Sequence, residues 1–278
     1  MRENSQFQPF TVLARPVQMK RQTHGDHAGV SGVVAAMDNS LLVGLAAQMT
    51  LRRNMEIVSN NIANVSTAGF KREDPAFEEL MVPTDSPDAS LREVSFVRDW
   101  GVIRDMTTGP LQQTDSPLDV SVQGDGMLVV RTPDGDRYTR DGHLKLDANG
   151  KVVNSDGYPV MSEGGELTIP PGETSIKIGE DGTVSTKQGV LGKIRVVALP
   201  TASLRKEGYN LYSSTEQASP ATSARVIQGS IEQSNVAPVV EMTKMIEIMR
   251  AYQHSTETLN ATDDLIRRAV QRLGDVKA

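Results

Sequence analysis

Residues 238–273 read PVVEMTKMIEIMRAYQHSTETLNATDDLIRRAVQRL, and their spacing decides the fold class. Met242, Met245, Met249, Tyr252, Thr256, Leu259, Asp263, Ile266, Val270 and Leu273 fall on one alternating three–four series without a slip, the period of a heptad seam. Pro238 suits a first helical turn, where its missing N–H is no loss. Asp263 with Arg267, and Asp264 with Arg268, are i,i+4 pairs in the favourable order. Arg267, Arg268 and Arg272 sit near the end where the helix dipole favours positive charge. At 1.5 Å per residue this helix would run roughly 50 Å. Thr256 and Asp263 interrupt the stripe; they either face a polar channel or specify register.

A second heptad pattern lies far upstream. Asn39 or Ser40 can cap a first turn. Leu42, Leu45 and Met49 follow, and after one drift Leu51, Met55, Val58, Ile62 and Val65 continue at four–three spacing. Ser66, Thr67 and Gly69 end the pattern, with Gly69 suited to a left-handed position. A lone helix with a wet apolar stripe is unstable, so the two ends must meet each other or meet copies of themselves.

Between the two the period changes. Asp-Gly or Asn-Gly recurs at 125–126, 134–135, 141–142, 149–150, 156–157 and 181–182, dipeptides that favour tight turns between antiparallel strands. Short strands are expected at 127–131, 143–146, 151–153, 158–161, 167–169, 176–178 and 193–199. The fold class is therefore α+β: N- and C-terminal helices forming a coiled coil around a central, mostly antiparallel all-β domain. The expected division is 1–36, 37–70 (first helix), 71–237 (β domain with flanking linkers), 238–274 (second helix) and a 275–278 tail. Residues 1–36 have no strong period and read as a disordered extension, or as sequence translated from a start upstream of Met37. They hold no apolar run long enough for a secretory signal.

Composition narrows the function. The chain has 278 residues, net charge −6 and 4% aromatics. The acidic balance counts against nucleic acid as the main partner. No stretch of about 18 apolar residues is present, so no membrane insertion by a helix is expected. The absence of cysteine removes disulfides, zinc–thiolate sites and thiol nucleophiles together. His24 and His27 form only a loose pair, and no metal or cofactor is expected. Gly124-Asp125-Gly126 lacks the third glycine of a dinucleotide fingerprint and leads into a strand-like run, so it reads as a hairpin turn. Asp147 and Asn149 lack the register of a calcium loop. No catalytic elbow or phosphate loop occurs, and a non-enzymatic role is expected. A carbohydrate-binding or hydrolytic β protein is the alternative from another class; it needs convergent carboxylates or aromatics, and the low aromatic content argues against sugar stacking.

Asn60, Asn61 and Asn64 crowd the last turns of the first helix, where asparagine is a mediocre helix former. They are either a solvated helix end or carboxamides that fix register across packed helices.

These ends resemble the bacterial flagellar basal-body rod and hook proteins. Asn60-Asn61-Ile62-Ala63-Asn64-Val65-Ser66-Thr67-Ala68-Gly69-Phe70-Lys71 is similar to the N-terminal signature of that family. Ser234-Asn235-Val236, Glu241-Met242, Met245-Ile246 and Arg250-Ala251-Tyr252 are similar to its C-terminal signature. Met37-Asp38-Asn39 with Gln48-Met49 looks most like a proximal rod member. In the middle, Gly109-Pro110-Leu111-Gln112-Gln113-Thr114, Pro117-Leu118-Asp119-Val120, Tyr138-Thr139-Arg140-Asp141-Gly142 and Ser155-Asp156-Gly157-Tyr158-Pro159-Val160 agree. The resemblance covers about residues 37 to 274. It departs at Met127-Leu128, where the family often has aromatics, and at Gln253, where it usually has Glu.

The resemblance implies a structural subunit of the proximal rod, a helical drive shaft carrying torque from motor to hook. The alternative within the family is a distal rod or hook subunit. It further implies export without a cleaved signal peptide through the flagellar type III apparatus, a place in the periplasm, and partners that are other rod subunits and copies of itself. The candidate assembly residues are Leu51, Met55, Val58, Asn60, Asn61, Ile62, Asn64, Gly69 and Phe70 at one end. At the other they are Asn235, Glu241, Met242, Met245, Met249, Arg250, Tyr252, Leu259 and Ile266. Leu51, Met55, Val58 and Ile62 are expected to pack on Met242, Met245, Met249 and Tyr252, directly or through neighbours.

Overall fold

The computed structural model describes residues 28–83, 93–173, 175–208 and 210–275. Two long helices carry the ends: α1 (Ala28–Ala63) and α2 (Pro238–Asp275). α1 begins upstream of Asn39, and residues 28–36 are helical. No proline falls between Pro16 and Pro75, and Gly29 and Gly32 each cost only about 1 kcal/mol within a helix. The expectation for residues 1–27, and the His24/His27 pair, lie outside the described residues.

The helices run antiparallel and touch. A Cβ on Gly44 would lie 2.4 Å from Leu259 Cδ2, so the backbones approach closely there. Gln48 Nε2 donates to Thr256 Oγ1 at 3.0 Å, and Asn61 Nδ2 donates to Glu241 Oε2 at 3.1 Å. In α1, Gly44, Gln48, Leu51, Met55, Val58 and Ile62 recede from solvent at four–three spacing. In α2 the receding series is Glu241, Met245, Ile248, Ser255, Leu259, Thr262 and Ile266.

This corrects the phase expected for α2. Met245, Leu259 and Ile266 belong to the sheltered side, but Met242, Met249 and Val270 are 53%, 47% and 63% exposed. The Asn61–Glu241 hydrogen bond fixes the rotation of α2, turning Glu241 and Ile248 inward and Met242 and Met249 out. Met242 and Met249 therefore keep about half of their surface in solvent within one chain. Thr256 serves register through its bond to Gln48.

Every named strand pairing in the middle is antiparallel. β1 (Glu73–Pro83) and β2 (Glu93–Arg104) form a long hairpin from Glu73 opposite Arg104 to Pro83 opposite Glu93, bulged between Ala76 and Phe77. It lies against α1. β3 (Leu111–Gln113) pairs with residues Ser230–Glu232, and β4 (Val120–Gln123) with Arg225–Gln228, so the segments entering and leaving the β domain run side by side.

A six-stranded sheet follows, with β5 (Met127–Thr132) and β6 (Gly135–Thr139) at its centre. Tyr212–Ser214 and then Leu204–Lys206 extend it beyond β6, and Val196–Ala198 and then Ser219–Pro220 beyond β5. Its core is aliphatic: Val120, Val122, Leu128, Val130, Val160, Ile169 and Ile194 are buried together. Residues 167–169, expected as a strand, contribute only an isolated bridge between Lys151 and Thr168. Gly124-Asp125-Gly126 is a turn, but not of a hairpin. It passes the chain from β4 to β5, which lie in different sheets, and a Cβ on Gly126 would meet Val196 and Ala224 at 2.7 and 2.8 Å.

Candidate functional site

Three lengths of chain link the helices, the hairpin and the β domain to one another: residues 64–72, 105–110 and 229–237. They meet in one place, and buried polar side chains hold them there.

Glu232 is the centre and is fully buried. Its Oε1 accepts from Lys71 Nζ at 2.5 Å and from the Gly109 N–H at 3.0 Å; its Oε2 accepts from Arg140 Nη1 at 3.3 Å. Lys71 Nζ also donates to the Thr107 carbonyl at 2.7 Å. Arg140 reaches back to the carbonyls of Val122 and Gly124 at 2.7 and 2.6 Å. A carboxylate out of water needs paired, hydrogen-bonded charge, and here two cations supply it from separate segments. Burial holds the Lys71 ammonium below its usual pKa, and the Glu232 carboxylate opposes that shift.

Two asparagines tie the same segments through backbone. Asn61, with no exposed surface, accepts from the Glu73 N–H at 3.0 Å and donates to the Glu73 carbonyl at 2.8 Å as well as to Glu241. It therefore joins α1, the root of the hairpin and α2 with one carboxamide. Asn235 accepts from the Arg72 N–H at 2.7 Å and donates to the Asp105 carbonyl at 2.8 Å. Glu241 is also faced by Lys244 at 3.2 Å, and Lys244 reaches Asp74 at 3.4 Å.

Gly69 and Phe70 close the junction. Gly69 has φ +67, and a Cβ there would sit 2.4 Å from the Arg140 carbonyl carbon, so only glycine fits on both counts. Phe70 is buried, with Lys206 Nζ 4.2 Å from its ring centroid. Burial also lowers the Lys206 pKa, while Glu73, 3.4 Å away, resists the shift. Glu73 pairs with Arg104 at 3.1 Å across the hairpin root. Behind them burial pushes the Tyr212 hydroxyl up to about 12.

Asn60 and Asn64 behave differently from Asn61. Asn64 Nδ2 donates to Asn60 Oδ1 at 3.0 Å, and both line an open cleft of ≈ 720 Å³ at the end of α1. The cleft wall includes Asp141, whose carboxyl burial raises above its usual pKa against hydrogen bonds from the His143 N–H and Ser155. Arg250 is exposed on α2, away from the junction.

The structure thus gathers Asn61, Gly69, Phe70, Asn235 and Glu241 into one cluster. It places Leu51, Met55, Val58, Ile62, Met245, Leu259 and Ile266 on the sheltered helix faces, and leaves Met242, Met249, Arg250 and Tyr252 towards solvent. Sequence reasoning did not single out Glu232, Lys71, Glu73 or Arg140 as a set. The available signal was a glutamate three residues before Asn235, with basic residues inside both matching motifs.

A long antiparallel helix pair is locked at its base to a β domain, the build of a structural subunit with no catalytic constellation among the described residues. Three profiles match segments of the chain. Residues 41–71 match the flagella basal body rod protein family, residues 121–186 the flagellar hook protein FlgE/F/G D1 domain, and residues 227–272 the flagellar basal body rod FlgEFG protein C-terminal domain. The flagellar basal-body rod protein FlgF of Caulobacter vibrioides is 43% identical over 247 residues, covering 86% of this chain and all of the relative. FlgG of Buchnera aphidicola is 35% identical, over 82% of this chain and 96% of the relative. FlgF of Salmonella typhimurium is 31% identical, over 85% and 99%. The chain belongs to the flagellar basal-body rod protein family, as a structural rod subunit whose likeness to FlgF is the stronger.

Proposed function

We propose that this chain is a proximal-rod subunit that assembles with other rod subunits and with copies of itself into the shaft carrying torque across the periplasm. α1 and α2 act as an antiparallel two-stranded coiled coil lining the inside of the tube, and the β domain faces outward. Sheltered residues at four–three spacing on both helices support the coiled-coil reading. The observation that carries the assembly reading is the apolar surface left bare beside that seam, Leu42, Leu45 and Met49 on α1 and Met242, Ile246 and Met249 on α2. Apolar patches of this kind on an elongated subunit mark interaction sites. The subunit reaches its place unfolded, through the flagellar export apparatus and without a cleaved signal peptide, and its ends become fully ordered only against neighbours. The junction around Glu232 then passes load from helix layer to β domain.

Placing Asp at both Met242 and Met249, on the bare face, tests this. The β domain should stay folded while rod assembly and swimming are lost. A double variant that still swims would remove these faces from the interface.

A further inference from the structure

Two bare apolar stripes remain after the helices pair. On α1 they are Leu42, Leu45 and Met49, 51%, 51% and 66% exposed; on α2, Val239, Met242, Ile246 and Met249, 75%, 53%, 51% and 47% exposed. On a 3.6-residue wheel each stripe lies about 115–130° round from the side that faces the partner helix. They also sit at different levels, the α1 stripe near the middle of the pair and the α2 stripe at its base. The α1 stripe runs beside the Gly44–Leu259 and Gln48–Thr256 contacts, whereas the α2 stripe runs beside Asn61–Glu241. Within one chain they cannot cover each other.

Their spacings nevertheless match. Along α1 the steps from Leu42 to Leu45 to Met49 are three, then four. Read backwards along α2, Met249 to Ile246 to Met242 also steps three, then four. We propose that the α2 stripe of one copy packs antiparallel on the α1 stripe of a second copy, with Leu42 opposite Met249, Leu45 opposite Ile246 and Met49 opposite Met242. This rests on the rod-subunit reading and adds the partner surface and its register. In the single chain, Leu45 lies level with a point about twelve residues beyond Ile246, so successive copies are displaced by about 18 Å along the helix axis.

Two further features fit a second copy. Met242 and Met249 flank Met245 and Tyr252, so a neighbour's α1 continues the helix layer already formed by α1 and α2. The seven side chains expose on the order of 600 Å², about half of the ~1,200 Å² at which stable pairwise interfaces begin. One such contact is too small to hold a dimer in solution. In a row each copy makes two, one with each stripe, and a contact between different patches builds a ring or an open helix rather than a closed dimer.

The chain has no cysteine, so introduced thiols report without background. Leu45→Cys/Ile246→Cys and Leu42→Cys/Met249→Cys are made in the bacterium that carries this chain, and isolated basal bodies are oxidised and run without reductant. Cα atoms must come within about 7 Å for a disulfide, which the single chain forbids for both pairs. Both variants should give a ladder of dimers and higher species that is absent from each single-cysteine variant; Gln48→Cys/Thr256→Cys should crosslink only within a chain. A Leu45→Cys thiol should react with maleimide in the purified subunit and be protected in the basal body. Incorporated variants that give no intermolecular band, a thiol that stays reactive in the rod, or mass spectrometry showing a different rod protein as the only partner would overturn the register. Absence of the wild-type chain from basal bodies would instead overturn the rod reading itself.

Discussion

Replacing Glu232 by Gln keeps the size of the side chain and removes its charge. Lys71 Nζ at 2.5 Å and Arg140 Nη1 at 3.3 Å then face an uncharged amide, leaving two cations in a site closed to water. With its carbonyl in the Oε1 position the amide can still accept from Lys71 and Gly109, uncharged, and loses the bond from Arg140. Breaking a buried ion pair from one side costs about 3–5 kcal/mol. For a chain of this size each kcal/mol moves the midpoint by about 2 °C, so Glu232→Gln should melt roughly 6–10 °C lower. The loss should be larger than for Lys71→Met, which removes the ammonium that burial already disfavours and leaves Glu232 with Arg140 and the Gly109 N–H. The double variant should recover much of the loss, because only one cation then remains beside the amide. Urea or thermal unfolding of the four proteins gives the coupling energy. A loss below about 1 kcal/mol for Glu232→Gln, or strictly additive effects in the double variant, would show that the junction is not held by this network.

Gly69→Ala meets both a left-handed φ and the Arg140 backbone; the conformation alone should cost about 1–3 kcal/mol, and the variant's unfolding midpoint measures it. Asn61→Ala leaves the Glu73 backbone groups and Glu241 without that partner, a loss of about 1–3 kcal/mol per stranded buried group. Asn61→Asp should be worse, since it sets a carboxylate against Glu241, and equal midpoints for the two would contradict the assigned contact. Asp141→Asn carries a pH signature. Burial raises the folded pKa of Asp141 above the unfolded 3.8, so the folded chain holds more protons between the two values. The group's contribution is full below pH 3.8, falls as pH rises through the folded pKa, and is flat above it. The variant's stability relative to the parent should therefore rise across that window; a pH-independent difference would refute the assignment.

The heptad period of both helices was legible because apolar side chains must recur on one face. The phase of α2 was not. Met242, Met245, Ile246, Ile248 and Met249 put apolar groups on adjacent sides of the helix, and several rotations look equally greasy. A hydrogen bond between Asn61 and Glu241 chooses among them, and residues so far apart in the chain reveal nothing of their meeting. The Asp-Gly and Asn-Gly turns announced the β domain, since Gly135, Gly150, Gly157 and Gly182 all take positive φ. The β1–β2 hairpin left no such trace: Pro75 and the acidic Glu73, Asp74, Glu78 and Glu79 suppress the alternation that marks a half-buried strand. Asn61 and Asn235 were found from their motifs. Glu232 was missed because one glutamate in a short strand is unremarkable until Lys71 and Arg140 are folded onto it.

The long hairpin leaves and rejoins the molecule at a single clamp, Glu73 opposite Arg104. A ribbon clamped at its foot and laid along α1 can gain or lose rungs at its far end without shifting the clamp. Evolution can trim its length like a telescoping ruler while the clamp at its root stays untouched.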